Sequence, residues 1–417
     1  MYKGRIDSLV EILNHDAFIN ITISEYIRKH NLSGHEKSVF TKIIYGVCDN
    51  KIYLDYLIQP LTSGKRIKPF LRNAFRIATY VIENMEMANH FIVNELVETI
   101  KKFDLKASKF FNAIMRNYLD NNIKEQQLNK LSKLSKLEQV SIKYSYPYEL
   151  LKLLYNQYQD KIIELLKTPL ESNNSYRINY LKTTKEEIIS YLDSEHIEYN
   201  LIDDICIITK QTLINTHFFK EGKIVLQDYS SIKVGLIVNP LPNQSGIDCC
   251  GAPGGKSMHM AQIMNNKGSI ITGDIHEFKM KLIKDNINKL GVKIVTPMVM
   301  DASKQEFNQQ FDFILIDAPC SGLGVTLHKP DLKYRMTLDK IKEIKETQFA
   351  ILNNMCKYLK PNGYLTYSTC TINREENEIM INEFIKLHPE FKIVINEPIW
   401  PNNYNDGFYI CKLKKEA

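Results

Sequence analysis

The chain has 417 residues, 44% hydrophobic and 24% charged, which suits ordinary globular cores and, by length, two or three domains. No run of about 18 apolar residues occurs, and the start, MYKGRIDSLVEILNHDAF, lacks a signal-peptide apolar region and a small-residue cleavage site; no membrane span is expected. The eight cysteines form no CxxC pair and no disulfide framework, so neither a metal site nor a stapled scaffold is indicated, and a cytoplasmic protein with free thiols is expected.

The net charge of +6 lies wholly in residues 1–150, which hold 22 Lys and Arg against 16 Asp and Glu. Apolar residues recur at helical spacing in SLVEILNHDAFINITISEYI, SVFTKIIYGVCDNKIYLDYLI, FLRNAFRIATYVIE and ANHFIVNELVETIKKF, with breaks at NLSGHE and at 60–64. A compact bundle of short helices is expected over 1–135. The basic run Lys65, Arg66, Lys68, Arg72 and Arg76 contains no acid between Asp55 and Glu83. It can contact phosphates or form a solvated helix face, and the sequence leaves both readings open. The polar stretch 121–139 reads as a partly helical linker and a domain boundary.

Over 136–235 short apolar runs (YRINYL, DICIITK, GKIVLQD) flank one helix, KEEIISYLDSEHI, which suggests a small α+β unit. From 236 to 417 strands and helices alternate: GIDCC, SMHMAQIMNN, SIITGDI, FKMKLIKDNINKLG, KIVTPMVMDA, FDFILIDAP, a long helix over 337–359, YLTYSTC and GFYICKL. That rhythm argues an α/β fold with a doubly wound, Rossmann-like sheet, whose ligands bind beyond the carboxyl ends of the strands.

The stretch Cys250, Gly251, Ala252, Pro253, Gly254, Gly255 and Lys256 lies between a strand and a helix. Its glycines allow a tight turn and close approach of a ligand, and the helix start offers free N–H groups to an anion. The spacing is neither that of a P-loop nor GxGxxG. Asp274 ends the next strand, at a distance from the glycines that suits ribose hydroxyls, and Asp301 ends the third, where an adenine-side contact is often made.

Asp317 and Cys320 stand at the end of the fourth strand and Cys370 at the end of the fifth, facing one crevice. A lone cysteine is usually a small buried hydrophobe, but two at adjacent strand ends, one after Asp-Ala-Pro, point to chemistry. Carbon 5 of cytosine is too weak a nucleophile to take a methyl group directly. A thiolate adding to carbon 6 makes carbon 5 enamine-like. A carboxyl group such as Asp317 can hydrogen-bond the ring nitrogen and the exocyclic amine, and a second thiol can assist release. The chemistry alone accepts either cysteine as nucleophile.

Taken in order, KYSYPYELL, RINYL, VLQDYSS, the GAPGGK loop, DAPCSGLG, YSTC, ENE (376–378) and DGFY (406–409) closely resemble the NOL/NOP/Sun family of RNA 5-methylcytosine methyltransferases, and within it the bacterial small-subunit ribosomal RNA methyltransferase B group (Fmu/Sun). The resemblance covers essentially the whole chain, and its N-terminal helices look like a NusB-like RNA-binding domain. It implies S-adenosyl-L-methionine as cofactor, held by Cys250 through Lys256, Asp274, Asp301 and Asp317. It implies Cys370 as nucleophile, Cys320 as the release thiol, and a cytosine of 16S (small-subunit) ribosomal RNA as target. RNA contacts are expected from Arg177, Asn179, Lys329, Lys65, Arg66, Lys68 and Arg72, and a monomer without metal is expected. Gly251 stands where Ala is usual, Tyr146 replaces a His, and the Arg pair usual before His-Pro or Lys-Pro is missing at 326–330. DNA cytosine methyltransferases use a Pro-Cys cysteine, which nominates Cys320 instead. The competing readings are the same chemistry on transfer RNA or another ribosomal cytosine, a non-catalytic RNA-binding assembly factor, and, for the first 120 residues alone, an antitermination module.

Overall fold

The computed structural model describes residues 2–62, 65–168 and 173–417, and it divides into two compact units, 1–168 with 329–338, and 169–328 with 339–417. The first unit is helical. Helices Tyr2–Asn14, Ile19–His30, Gly34–Asp49, Lys51–Thr62, Pro69–Asn84, Asn89–Lys101 and Leu105–Asp120 surround one core. Helix Pro69–Asn84 is central to it, with every residue from Asn73 to Val81 buried. Pro69 begins this helix, where its fixed φ is preset and its missing N–H costs nothing.

Three expectations are corrected here. The break at 60–64 comes later, because Pro60 lies in the last turn of Lys51–Thr62; Ser63 and Gly64 lie outside the described residues. The stretch 121–139, expected as a partly helical linker, enters two helices packed in the helical unit, Ile123–Leu131 and Lys136–Lys143, and is not a boundary. Gln127 and Leu131 of the first are buried, and Ser135 and Glu138 cap the second reciprocally. Helices continue to Lys167, so the α+β part begins at Asn174 rather than near 136. The polar composition of 121–139 hid helices that bury only a narrow stripe.

In the second unit β1 (Asn174–Ile178), β2 (Asn200–Ile202), β3 (Cys206–Thr209) and β4 (Ile224–Leu226) form an antiparallel sheet in the order β2-β3-β1-β4. Then β5 (Ser245–Asp248), β6 (Ser269–Asp274), β7 (Val295–Val299), β8 (Phe311–Asp317), β9 (Leu359–Thr369), β10 (Phe391–Ile399) and β11 (Phe408–Lys415) form a seven-stranded sheet in the order β10-β11-β9-β8-β5-β6-β7. β5 to β9 are parallel, and β11 runs antiparallel to both β9 and β10. β8 is covered on both faces, which explains its unbroken run Phe313-Ile314-Leu315-Ile316: Phe313 and Leu315 join one core, Ile314 and Ile316 the other. β10 was not legible in the sequence, since this edge strand is largely exposed and its apolar run is only Ile393-Val394-Ile395. The strand order reverses between β5 and β8, the position where open α/β sheets form a ligand crevice.

Candidate active site

The loop after β5 enters helix Gly255–Ile263 through Gly254, whose φ of 106° favours glycine. This helix has no side-chain cap, so its first N–H groups are open to an anion. Gly251 is closely held: its N–H donates to Gly273 O at 2.8 Å, and a Cβ there would come within 2.6 Å of Thr272 and 2.7 Å of Asp248. An alanine therefore has no room at this position of this chain. Beneath the loop Asp248 is fully buried and accepts from Ser257 Oγ, while its Oδ1 has no partner among the described residues. Burial, with the Asp317 charge adding, pushes its carboxyl up to about 7.

Asp274 ends β6 and accepts from His276 N and Lys279 Nζ, each at 3.0 Å. Asp301 lies two residues past β7 and accepts from Ser303 N and Oγ at 3.0 and 2.6 Å; the Ser303 hydroxyl, foremost, holds its carboxyl below the usual range. Cys250 is half-buried, and its thiol is pushed up by burial and by the neighbouring carboxylates. Lys256, in the first turn of this helix, reaches the end of β8. Its Nζ lies 2.6 Å from Asp317 Oδ2, and Ser368 Oγ donates to Asp317 Oδ1 at 2.8 Å. Burial pulls the Lys256 ammonium down, but Asp317 and Cys370 outweigh it and the net shift is upward.

β8 and β9 pair with Asp317 opposite Ser368, so the chains leaving both strands emerge side by side. Cys320 Sγ and Cys370 Sγ come to 3.1 Å. The Cys320 thiol is pushed well up, first by its hydrogen bond to Cys370 and then by burial.

Sequence reasoning gave no role to the groups that hold this pair. Glu376 is buried; its Oε2 accepts from Ser321 N at 2.8 Å and Gln348 Nε2 at 3.2 Å, and its Oε1 from Ser321 Oγ at 2.6 Å and Asn373 Nδ2 at 2.9 Å. Burial raises its pKa against these donors. Thr369 Oγ1 donates to Asn377 Oδ1 at 2.6 Å, and Asn377 Nδ2 donates to Thr371 O. These bonds fix the Cys320 loop to the turn that follows Cys370. The only sequence signal was the run 376–378, which carries no indication of its partners.

A second tie joins the far ends of both loops. Gly324 N donates to Cys370 O at 3.1 Å, and Gly407 N to Gly324 O at 2.9 Å. His328 Nδ1 lies 2.6 Å from Asp406 Oδ1, and Asp406 N donates to Asp228 Oδ2. Asp228 caps helix Tyr229–Val238, and burial plus the Asp406 charge raise its carboxyl to about 6.

The residues expected to touch RNA divide in two. Arg177 and Asn179 are 1% and 2% exposed and are not surface groups. Arg177 Nε donates to Gln227 Oε1 at 2.8 Å and its Nη1 to Gln262 Oε1; Asn179 Nδ2 donates to Gly222 O and Leu290 O at 2.8 and 3.0 Å. They join the small sheet to the helices of the large one, and burial lowers the Arg177 pKa to about 9. Lys65, Arg66, Lys68, Arg72 and Lys329 are exposed. Arg76 leaves the basic run, because it is buried and pairs with Asp55 at 2.8 and 2.6 Å.

All eight cysteines are free, and among the described residues no group of His, Cys, Asp or Glu is placed to hold a metal ion. No helix of the described residues is long and apolar enough to cross a membrane.

Residues 235–414 match the family model described as 16S rRNA methyltransferase RsmB/F, and residues 6–120 match the NusB family. A Bacillus subtilis (strain 168) protein named "Probable ribosomal RNA small subunit methyltransferase B" is 32% identical over 99% of this chain and 98% of its own length. A Shewanella oneidensis protein named "Ribosomal RNA small subunit methyltransferase B" is 27% identical over 98% and 97%. The crystal structure of PH0851 superposes with a TM-score of 0.84 at 27% identity, covering 99% of this chain and 98% of that one. A NusB-type helical domain followed by a Rossmann-like methyltransferase domain, matched along its whole length, places this chain in the ribosomal RNA small subunit methyltransferase B family.

Proposed function

We propose that the protein methylates carbon 5 of a cytosine in small-subunit ribosomal RNA, with Cys370 as nucleophile and S-adenosylmethionine as methyl donor. The observation that carries the reading is the Cys320–Cys370 approach of 3.1 Å beside the Lys256–Asp317 pair, at the carboxyl ends of β8 and β9.

The donor set fits the cofactor. The uncapped start of helix Gly255–Ile263 suits its carboxylate, Asp274 its ribose hydroxyls, and Asp301 its adenine side. When bound, S-adenosylmethionine supplies an electrophilic methyl group on a sulfonium. Lys256 provides positive charge beside Cys370 and orients Asp317, whose carboxyl hydrogen-bonds the ring nitrogen and amine of the base. The Cys370 thiolate forms a bond to carbon 6, which makes carbon 5 nucleophilic. Once carbon 5 carries the methyl group, Cys320, ionised while Cys370 is bonded to the base, takes the carbon 5 proton. The carbon–hydrogen electron pair forms the 5,6 double bond, and the sulfur–carbon bond breaks with its pair returning to Cys370. The target base must leave its stack, because both faces of carbons 5 and 6 must be reached. The exposed basic residues of the helical unit, Lys65, Arg66, Lys68, Arg72 and Lys329, hold flanking RNA by its phosphates, and the protein acts as a monomer.

The test is bisulfite sequencing of small-subunit ribosomal RNA from a deletion strain carrying the wild-type gene or Cys370→Ala. One cytosine is expected to lose its mark on deletion and to regain it only with the wild type. Retention of every mark overturns the reading, and loss confined to transfer RNA redirects the substrate.

A further inference from the structure

The helical unit contains a cleft of about 510 Å³ that is remote in sequence from the cysteines. Its floor is aromatic: Phe70, Phe103 and Phe110 line it. Phe103 is 59% exposed, and its ring meets Phe70 edge-on at 5.8 Å. The rim is basic: Lys65, Arg66, Lys68 and Lys106 all line the cleft. Lys65 Nζ stands 4.5 Å from the Phe110 centroid, and Lys3 Nζ 5.4 Å from that of Phe103. Asp104, the acid among the lining residues, uses its Oδ1 to cap helix Leu105–Asp120 through Ala107 N at 2.9 Å. Its negative charge stands against the four cations Lys65, Arg66, Lys68 and Lys106.

Aromatic faces inside a ring of cations match one ligand chemistry. Bases stack on the rings while the phosphates between them meet the Lys and Arg side chains. A duplex hides its base faces and does not use such a floor. An apolar protein partner would not need the cationic rim.

We propose that this cleft is a site for unpaired nucleotides of an RNA strand, with one or two bases stacking against Phe103 and Phe70 and the adjoining phosphates held by Lys65, Arg66, Lys68 and Lys106. The inference rests on the RNA-directed reading above and extends it. The helical unit grips a single-stranded segment by its bases, rather than a helix by charge alone. Binding is sequence-tolerant, because every base has a stacking face.

The test measures affinity of the full-length protein for a short labelled single-stranded RNA and for a duplex of the same length, by fluorescence anisotropy across a salt series. Phe103→Ala is expected to weaken single-strand binding by about 5- to 100-fold with the salt slope unchanged. Lys65→Ala and Lys68→Ala are each expected to lower that slope by about one. Phe91→Ala, equally exposed at 54% but outside the cleft, is the control for a general loss of surface aromatics. Wild-type affinity for single strands in Phe103→Ala overturns the proposal, as does an equal loss for the duplex or for Phe91→Ala. Calorimetric binding of S-adenosylmethionine and methyl transfer to ribosomal RNA are read on the same preparations. Cleft variants that bind RNA normally, beside a wild type that transfers methyl groups, defeat the cleft alone. A wild type that grips RNA through the cleft but transfers nothing defeats the methyltransferase reading alone.

Discussion

Cys320 Sγ lies 3.1 Å from Cys370 Sγ, although fifty residues separate them along the chain. The contact follows from the pairing of β8 with β9, which sets Asp317 against Ser368, and from Glu376, which anchors the backbone and hydroxyl of Ser321. Two thiols held this closely cannot both ionise readily, so one keeps its proton while the other attacks.

The two cysteines should therefore fail differently. Cys370→Ala is expected to abolish methyl transfer. Cys320→Ala is expected to accumulate a covalent protein–RNA adduct, visible as a slow band on a denaturing gel. An adduct in Cys370→Ala, with none in Cys320→Ala, reverses the assignment.

The same proximity makes the site sensitive to oxidation. Hydrogen peroxide is expected to oxidise the Cys370 thiolate to a sulfenic acid with release of water. Attack by Cys320 then expels a second water and forms a disulfide. Activity should fall and return with a thiol reductant, and peptide mapping should find the Cys320–Cys370 link. Irreversible loss without that link counts against it.

Lys256→Ala removes the cation beside Cys370 and the partner of Asp317. Methyl transfer is expected to fall by about 100-fold or more. The pH at which adduct forms should move upward, because the thiolate loses its neighbouring charge. Calorimetric affinity for S-adenosylmethionine should change far less. A selective loss of cofactor binding would place Lys256 at the cofactor instead.

Asp248 links stability to pH. Its folded pKa, about 7, stands above the ordinary carboxyl value of 3.8, so the native state binds the extra proton between these values. Its contribution is fully present below about pH 4 and is lost as pH rises through about 7, amounting to a few kcal/mol at most. Asp248→Asn is accordingly expected to melt above the wild type in alkaline buffer and to converge with it in acid. Parallel melting curves at every pH would remove Asp248 from the account.

Arg177→Ala separates a structural role from an RNA contact. It leaves Gln262 Oε1 unpaired in the interior, at a cost of roughly 1–3 kcal/mol, and removes the partner of the half-buried Gln227 Oε1. A lowered melting temperature with an unchanged salt slope of RNA binding is expected. A reduced slope at normal stability would return Arg177 to the surface role first expected of it.

What the sequence determined by itself is local. The glycine loop, the alternation of strands and helices after 245, and the acids and cysteines at strand ends follow from turn chemistry and periodicity within a few residues. The all-helical start is legible for the same reason, since a helix buries a stripe set by its own spacing. Tertiary structure decided what depends on partners far along the chain. Sheet register brought Cys320 onto Cys370 and Lys256 onto Asp317, and Glu376 acquired its donors only through that register. Arg177, Asn179 and Arg76 read as surface cations and amides until packing buried them, because composition does not reveal which face of an element is covered. Phe70 and Phe110 sit on separate helices and Phe103 in the turn that precedes the second, so the cleft they line exists only once the bundle has closed.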